Sequence, residues 1–340
     1  MQPPAAIREL ERRDAERIRR EVLEAGEPVV LRGLASDWPA VAAARTSPAA
    51  LLEYLRRFES GAPVDAVMTP PEFAGRIYYR EGLNGFNFVR NRLPLSAVAE
   101  QALRYAGHAN APAVAAQSAP IQESLPGFTA ANPLPLAEAS AQPRIWLGNA
   151  ITTPTHLDEW FNLGCVVGGR RRFMLFPPEQ IANLYIGPLD YAPTGAPMSL
   201  VQLHAPDFAR FPRFRTALAA ARSAELEPGD ALFIPPLWWH NVESLDPFNV
   251  WVNYWWHANG APLGSDSGFD SLRHAILNIR TLPAPARAAW RALFEHYVFG
   301  DPHDATAHIP PQRHGLLGKL TPADSERLRE QIAQHLKTGK

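Results

Sequence analysis

"THLDEWFNLGCVVGGRRRFMLFPPEQ", residues 155–180, decides how this chain is read. Side chains alternate across a β-strand, so His156 and Asp158 project to one face while Leu157 turns into the core. An imidazole and a carboxylate placed that way can chelate one divalent ion. The next run, "NLGCVV", is apolar and β-branched, Gly168-Gly169 reads as a hairpin-like turn, and "RRFMLFP" returns as another strand. Alternation there groups Arg171 with Phe173 and Leu175, so only one of the three arginines need face inward, and the other two read as solvated. The stretch predicts a metal-ligand pair on one strand and an anion-binding arginine on the next.

A third ligand should come from another strand. His240 in "PPLWWHNVES" is the best candidate, because it stands in a strand-like run. Two histidines and a carboxylate occupy one face of an octahedron and leave open positions, a donor set suited to Fe(II). An isolated H-x-D is a weak signal, and a lone buried histidine is more often simply hydrogen-bonded; spacing and strand context together give the triad its weight.

Working outward, residues 143–257 hold strand-like runs in close order: "RIWLGN", "TPTHLDE", "NLGCVV", "RRFMLFP", "ALFIPP", "WWHNVESL" and "NVWVNYWWH". Turn signals at Gly168-Gly169, Pro228-Gly229-Asp230 and Asp246-Pro247 separate them. The pattern predicts a mainly β fold with flanking helices, its core a sandwich or barrel of jelly-roll type. Residues 1–25 read as helix through Leu10, Ile18, Val22 and Leu23, "PVVLRGL" as a strand, and "SPAALLEYLRRF" as a helix capped by Ser47 with Pro48 at its first position. "LSAVAEQALRYAG" reads as a further helix, whereas 108–142, rich in Ala, Pro, Ser and Gln, reads as irregular. Helical periodicity returns after Gly260 in "SLRHAILNIRTL", "PARAAWRALFEHYVF" and "PADSERLREQIAQHL".

Composition bounds the function classes. A hydrophobic fraction of 46% over 340 residues is enough for a substantial core. A net charge of −1 provides no global field toward nucleic acid or anionic lipid, so neither partner is expected. The single cysteine, Cys165, excludes an internal disulfide framework and reads as a small buried hydrophobe. No apolar run reaches a membrane span and no signal peptide is evident, so a cytoplasmic location is expected. The 34 prolines argue for many short elements joined by loops.

"PTHLDEWFNLGCVVGGRRRFMLFPPEQ", "EPGDALFIPPLWWHNVES", "VWVNYWW" and "GEPVVLRGLASDWPA" together resemble the cupin-like JmjC family of Fe(II)- and 2-oxoglutarate-dependent oxygenases. The likeness is greatest to the branch containing the asparaginyl hydroxylase that acts on hypoxia-inducible factor. The resemblance implies a double-stranded β-helix, a cupin-like JmjC domain over 1–262 with its β-helix core at 143–257, and a C-terminal helical region over 263–340. It implies His156, Asp158 and His240 as iron ligands and dioxygen as oxidant. It also matches Tyr78, Ile145, Thr153, Asn162, Arg171, Asn253 and Trp255 to positions around 2-oxoglutarate. Arg171 stands where family members commonly carry lysine; its planar fork can bind a carboxylate bidentately. Asn162 and Asn253 carry extra weight, because amides in apolar strands are costly without partners.

The implied reaction hydroxylates an unactivated C–H bond, most readily on an amino-acid side chain of a protein or peptide. Hydroxylation of a small molecule stays open. So do a cupin metalloenzyme without 2-oxoglutarate, which usually supplies three histidines and a glutamate, and a binding module that kept the fold without the activity. Apolar positions Ile276, Leu277, Ile279, Trp290, Leu293 and Phe294 exceed one amphipathic face, so a homodimer through the C-terminal helices is expected beside packing within the chain.

Overall fold

The structure is a computed structural model describing residues 3–11, 21–22, 26–108, 110–193, 195–257 and 268–338. The chain divides into two compact units, one up to residue 266 and the other from 267. The first unit is built on two β-sheets. A five-stranded sheet runs in the order β1 (Ala5–Ala6), β11 (Arg222–Leu226), β10 (Arg171–Phe176), β13 (Trp239–Ser244), β8 (Thr152–His156). A nine-stranded sheet runs β2 (Arg8–Glu11), β3 (Val29–Arg32), β12 (Ala231–Ile234), β9 (Phe161–Gly168), β14 (Asn249–Trp256), β7 (Gln142–Gly148), β6 (Ala113–Pro120), β4 (Val64–Thr69), β5 (Val89–Leu93). From β7 to β10 the chain alternates sheets at every step, and it does so again from β11 to β14. That winding is the expected jelly-roll core of cupin type, mainly β with flanking helices.

The alternation corrects one local reading. Gly168-Gly169 does not close a hairpin, because β9 and β10 belong to different sheets. Gly169, with φ +69°, turns the chain from one sheet to the other, and a Cβ there would meet the Phe248 carbonyl at 2.4 Å.

Two apolar layers explain the strand sequences. Between the sheets lie Ile7, Val30, Val166, Phe173, Leu175, Leu226, Leu232, Ile234 and Trp251. On the outer face of the large sheet lie helices α1 (Pro39–Thr46), α2 (Pro48–Arg56) and α3 (Leu95–Tyr105), which bury Val41, Leu51, Leu55, Val98 and Ala102 against Val114, Ile145, Leu147, Cys165, Val252 and Tyr254. Covered on both faces, all eight residues of β14 are buried, so its sequence is apolar nearly throughout rather than alternating. Ser47 caps α2 as its position predicts, its hydroxyl accepting from the Ala50 N–H at 3.0 Å.

Two further differences have physical causes. Residues 5–6 and 8–11 are edge strands rather than helix, β2 pairing in parallel with β3 so that Leu10 sits opposite Leu31; Ile18 and Leu23 lie outside the described residues. The supposedly irregular 108–142 contains β6, an interior strand of the large sheet whose "AVAAQSAP" has little intrinsic strand preference. Small side chains are required there: a Cβ on Gly148 of β7 would come within 2.6 Å of the Ala115 Cβ. The second unit carries helices Gly268–Asn278, Ala284–Phe294 and Pro322–Thr338, as the periodicity predicts. No helix among the described residues is long and apolar enough to cross a membrane.

Gly164 sits where β9 passes under the Trp251 indole; a Cβ there would overlap the ring at 1.8 Å. Gly164→Ala is therefore expected to lower stability by about 1–3 kcal/mol through overpacking. The check is the urea midpoint at constant m, with near-ultraviolet circular dichroism following Trp251; an unshifted midpoint would contradict this packing.

Candidate metal centre

β8 and β13 pair antiparallel with His156 directly opposite His240. Residues opposite each other on one sheet face are close neighbours, and here the two rings stand 4.2 Å apart. Asp158 lies just beyond the end of β8, in the loop, not on the strand itself. Its carbonyl accepts from the Leu237 N–H at 2.8 Å, which ties the loop after β8 to the turn before β13. The carboxylate is thereby brought to 3.6 Å from His240 Nε2. Each of the three residues offers one ligand atom, and these atoms lie within 4.8 Å of one another.

The imidazoles are oriented by their own backbone. His156 Nδ1 is 2.8 Å from the Pro154 carbonyl, and His240 Nδ1 is 3.0 Å from the Trp238 carbonyl. A carbonyl can only accept, so each Nδ1 carries the proton and each Nε2 keeps its lone pair for a ligand. Burial, reinforced by the facing His240, holds the His156 pKa well below the usual histidine range. A neutral imidazole is the form a metal binds, so this environment favours loading.

Behind Asp158 runs a hydrogen-bonded relay. The Trp146 indole N–H donates to Asn253 Oδ1 at 2.9 Å, Asn253 Nδ2 to Asn162 Oδ1 at 3.1 Å, and Asn162 Nδ2 to Asp158 Oδ2 at 3.1 Å. The chain joins β7, β14, β9 and the metal loop, and it satisfies two amides buried in apolar strands.

Arg171 enters the same cavity from β10. The neighbouring guanidiniums are spent on the surface, Arg170 on Asp246 and Arg172 on Glu225 and Glu243. Arg171 is 7% exposed, its Nε has no partner, and no carboxylate pairs with it among the described residues. Burial alone pulls its pKa down to about 9. Its guanidinium lies 6.0 Å from the centre of the Trp251 ring. An unpaired buried cation beside three side chains able to hold a metal ion fits a bound anion. The cavity has about 430 Å³ of open volume, mouth included, and Thr153, Phe173, Ile234, Val242, Trp251 and Trp255 complete its walls.

Eight of the ten residues singled out in the sequence therefore meet around one cavity: His156, Asp158, His240, Thr153, Asn162, Arg171, Asn253 and Trp255. Two do not. Ile145 is fully buried in the layer between the large sheet and the helices; strand alternation gives the cavity its neighbour Trp146 instead. Tyr78 lines a separate cavity on the outer face of the small sheet, with Thr152, Arg172, Asn241 and Glu243. Neither it nor Tyr79, whose hydroxyl donates to the Tyr191 carbonyl, lines the metal cavity. Trp146 and Trp251 were missed. For Trp251 the signal was present in "VWVNYWW", where an indole two positions from Asn253 shares its face. Cys165 is fully buried with its thiol pKa raised by desolvation, as a packing residue should be.

Comparison with known proteins agrees with this geometry. The profile of the cupin-like domain family matches residues 15–261. A lysine-specific demethylase, JMJ31 of Arabidopsis thaliana, is 29% identical over 266 residues, covering 68% of this chain and 46% of that protein. HSPB1-associated protein 1 of Homo sapiens is 42% identical over 113 residues, 33% of this chain and 22% of the relative. Human tRNA wybutosine-synthesizing protein 5 is 38% identical over 146 residues, 39% of this chain and 43% of the relative. The chain thus spans less than half the length of each. With the family match running through both sheets and all three triad residues, the chain belongs to the cupin-like, JmjC-type domain family.

Proposed function

We propose that this chain is an Fe(II)- and 2-oxoglutarate-dependent oxygenase that hydroxylates an unactivated C–H bond on an amino-acid side chain of a protein or peptide. One observation carries the reading: Arg171, buried and unpaired, shares a cavity with the histidine–aspartate–histidine triad. A cupin that used only a metal would bury that cation for no gain. A diacid cosubstrate supplies the missing counter-charge.

The donor set suits Fe(II), with two imidazoles and one carboxylate on one side and the cavity on the other. When bound, iron and 2-oxoglutarate supply the oxidising chemistry, in which dioxygen is reduced as the diacid loses carbon dioxide to become succinate. The chain's own part is positional. Pro154 and Trp238 carbonyls hold the imidazoles by Nδ1, the relay from Trp146 holds Asp158, and Arg171 with the Thr153 hydroxyl receives the distal carboxylate. Ile234, Phe173, Val242, Trp251 and Trp255 keep the cavity poor in water, which strengthens each of those electrostatic contacts. A protein substrate is supported by the named modifying activity of the demethylase relative and the named association of HSPB1-associated protein 1.

We also propose self-association through the helices after residue 267. Leu277 is 71% exposed and Phe299 73% exposed, and Trp290, Leu293 and Val298 are exposed beside them in sequence. Ala305 is the unit's sole buried hydrophobic among the described residues. Apolar surface on that scale marks an interface. Sedimentation velocity should give a dimer that Trp290→Glu with Leu293→Glu converts to monomer; a monomeric wild-type protein would refute the assignment.

Two experiments test the catalytic reading. Mn(II) followed by 2-oxoglutarate is expected to raise the melting temperature in two steps, the second worth about 2.7 kcal/mol at one hundred times the dissociation constant. In Arg171→Met the metal step should persist and the diacid step vanish, while the ligand-free protein gains up to about 4 kcal/mol from losing an unpaired buried charge. A diacid step of full size in that variant would show that another group holds the carboxylate. Succinate release against peptides, free amino acids and cell extract then separates protein from small-molecule substrates. Asp158→Ala should abolish it, and release that survives this change would remove the triad from the reaction.

A further inference from the structure

Behind the Trp255 wall of the metal cavity stands a second cation, which a diacid cosubstrate does not use. Arg144 lies on β7 two positions from Trp146, on the same strand face, and its guanidinium stacks 5.6 Å from the Trp255 ring centre. Its Nη1 donates to the Ser118 carbonyl at 3.0 Å, its Nε is buried without a partner, and no carboxylate bonds it among the described residues. Burial lowers its pKa, while the field of Glu123 acts weakly in the opposite direction.

From Arg144 a chain of three unpartnered ring nitrogens leads outward through Trp255. Trp255, 8% exposed and a wall of the metal cavity, leaves its indole N–H unbonded. Trp160 packs 5.4 Å from Trp255, and His257 6.3 Å from Trp160; Trp160 Nε1 and His257 Nε2 are likewise buried and unpaired. A native fold satisfies nearly all its buried donors, so three N–H donors in one cluster, with a histidine ring nitrogen beside them, indicate a missing acceptor.

The cosubstrate is not that acceptor. Trp251, beside Arg171, and Trp255, beside Arg144, share one face of β14 four residues apart, which is roughly 13 Å of strand. A five-carbon diacid spans only about 5 Å by ordinary chain dimensions, so one anchored on Arg171 ends well short of Arg144. Nor does the aromatic cluster suit a methylated ammonium group. Cation–π recognition needs a free ring face, and Arg144 already stands over that of Trp255.

We propose that Arg144, Trp160, Trp255 and His257 form the subsite for the substrate side chain, and that it selects an oxyanion-bearing side chain, a carboxylate, over a cationic one. The proposal rests on the oxygenase reading for its place in the reaction, but the anion site itself exists without the metal.

Calorimetric titration of the full chain, with and without Mn(II) and 2-oxoglutarate, tests it using four probes: the N-acetyl amides of aspartate, phosphoserine, asparagine and trimethyllysine. The aspartyl amide is expected to bind at least tenfold more tightly than the asparaginyl and trimethyllysyl amides, the usual worth of a buried charge-assisted bond. Tighter binding of the phosphoseryl amide would assign the same subsite to phosphate. Arg144→Gln should reduce aspartyl binding to the asparaginyl level and Arg144→Lys should restore part of it. Trp160→Phe, which removes an N–H with little else, keeps the test alive should Arg144→Gln not fold. Equal affinity for the aspartyl and asparaginyl amides, undiminished binding in Arg144→Gln, or preference for trimethyllysine would overturn the proposal. Absence of any response to Mn(II) and 2-oxoglutarate would instead sink the oxygenase reading, leaving the anion result to stand or fall separately.

Discussion

His156 and His240 can share an ion because β8 and β13 pair in the one register that sets them opposite each other. A slip of one residue would turn one imidazole to the outer face of the small sheet, and no rotamer could bring it back. The ladder is therefore held at both ends. Leu237 N–H binds the Asp158 carbonyl at the metal end, and Ser244 N–H binds the Ile151 carbonyl at the other. Between them the register shifts after His240, so the irregularity lies beyond the ligand pair and leaves it aligned. Leu237 adopts φ +64°, an uncommon conformation for a side chain of its kind, and this strain accompanies the turn that delivers His240.

Around this register the fold tolerates an arrangement that would be unfavourable in an ordinary core. Arg171 is desolvated without a partner, and the histidines are buried within 4.2 Å of each other. Neither helps the empty protein fold. Both persist because the large sheet that faces them, and carries neither, is packed on two sides. β14 is buried along its whole length and β9 from Asn162 onward, between the helices and the inner layer, so their stability does not depend on the cavity face. The helix-facing residues of the large sheet stabilise it, and part of its inward face is left free for chemistry.

This division of labour decides what could be read from the sequence. The triad was legible because H-x-D and "WWHN" place ligands by strand period alone, and Arg171 because alternation from the same stretch separates it from Arg170 and Arg172. Phase errors account for the misreadings near the site. Ile145 and Trp146 are adjacent, and choosing the wrong one inverts the face; a resemblance that aligns strands loosely cannot tell them apart, whereas the unmet need of an indole N–H for an acceptor would have chosen Trp146. Tyr78 stands outside the β-helix, where no strand period governs direction, and its placement depends on a loop. The alanine-rich β6 was invisible because its role is to be thin. Its neighbours need close approach, and small residues provide that without any strand preference of their own. The sheet exchange at Gly168-Gly169 could not be seen either, since a corner between sheets and a hairpin use the same residues.

The relay behind Asp158 adds a direction to the site. It starts at an indole, which can only donate, and ends at a carboxylate oxygen, which accepts. Both amides between them are thereby oriented: Asn253 must turn its oxygen to Trp146, and Asn162 must turn its nitrogen to Asp158. Were either amide reversed, two oxygens or two N–H groups would face each other in a buried, low-dielectric setting, at a cost well above that of a lost hydrogen bond. One carboxylate oxygen is thus committed to Asn162. The carboxylate can rotate little, so the aspartate ligand is fixed by β9, β14 and β7 although it stands on a loop. A carboxylate beyond the end of its own strand is in this way given the rigidity of the large sheet, and a triad able to hold one ion is assembled from both sheets at once.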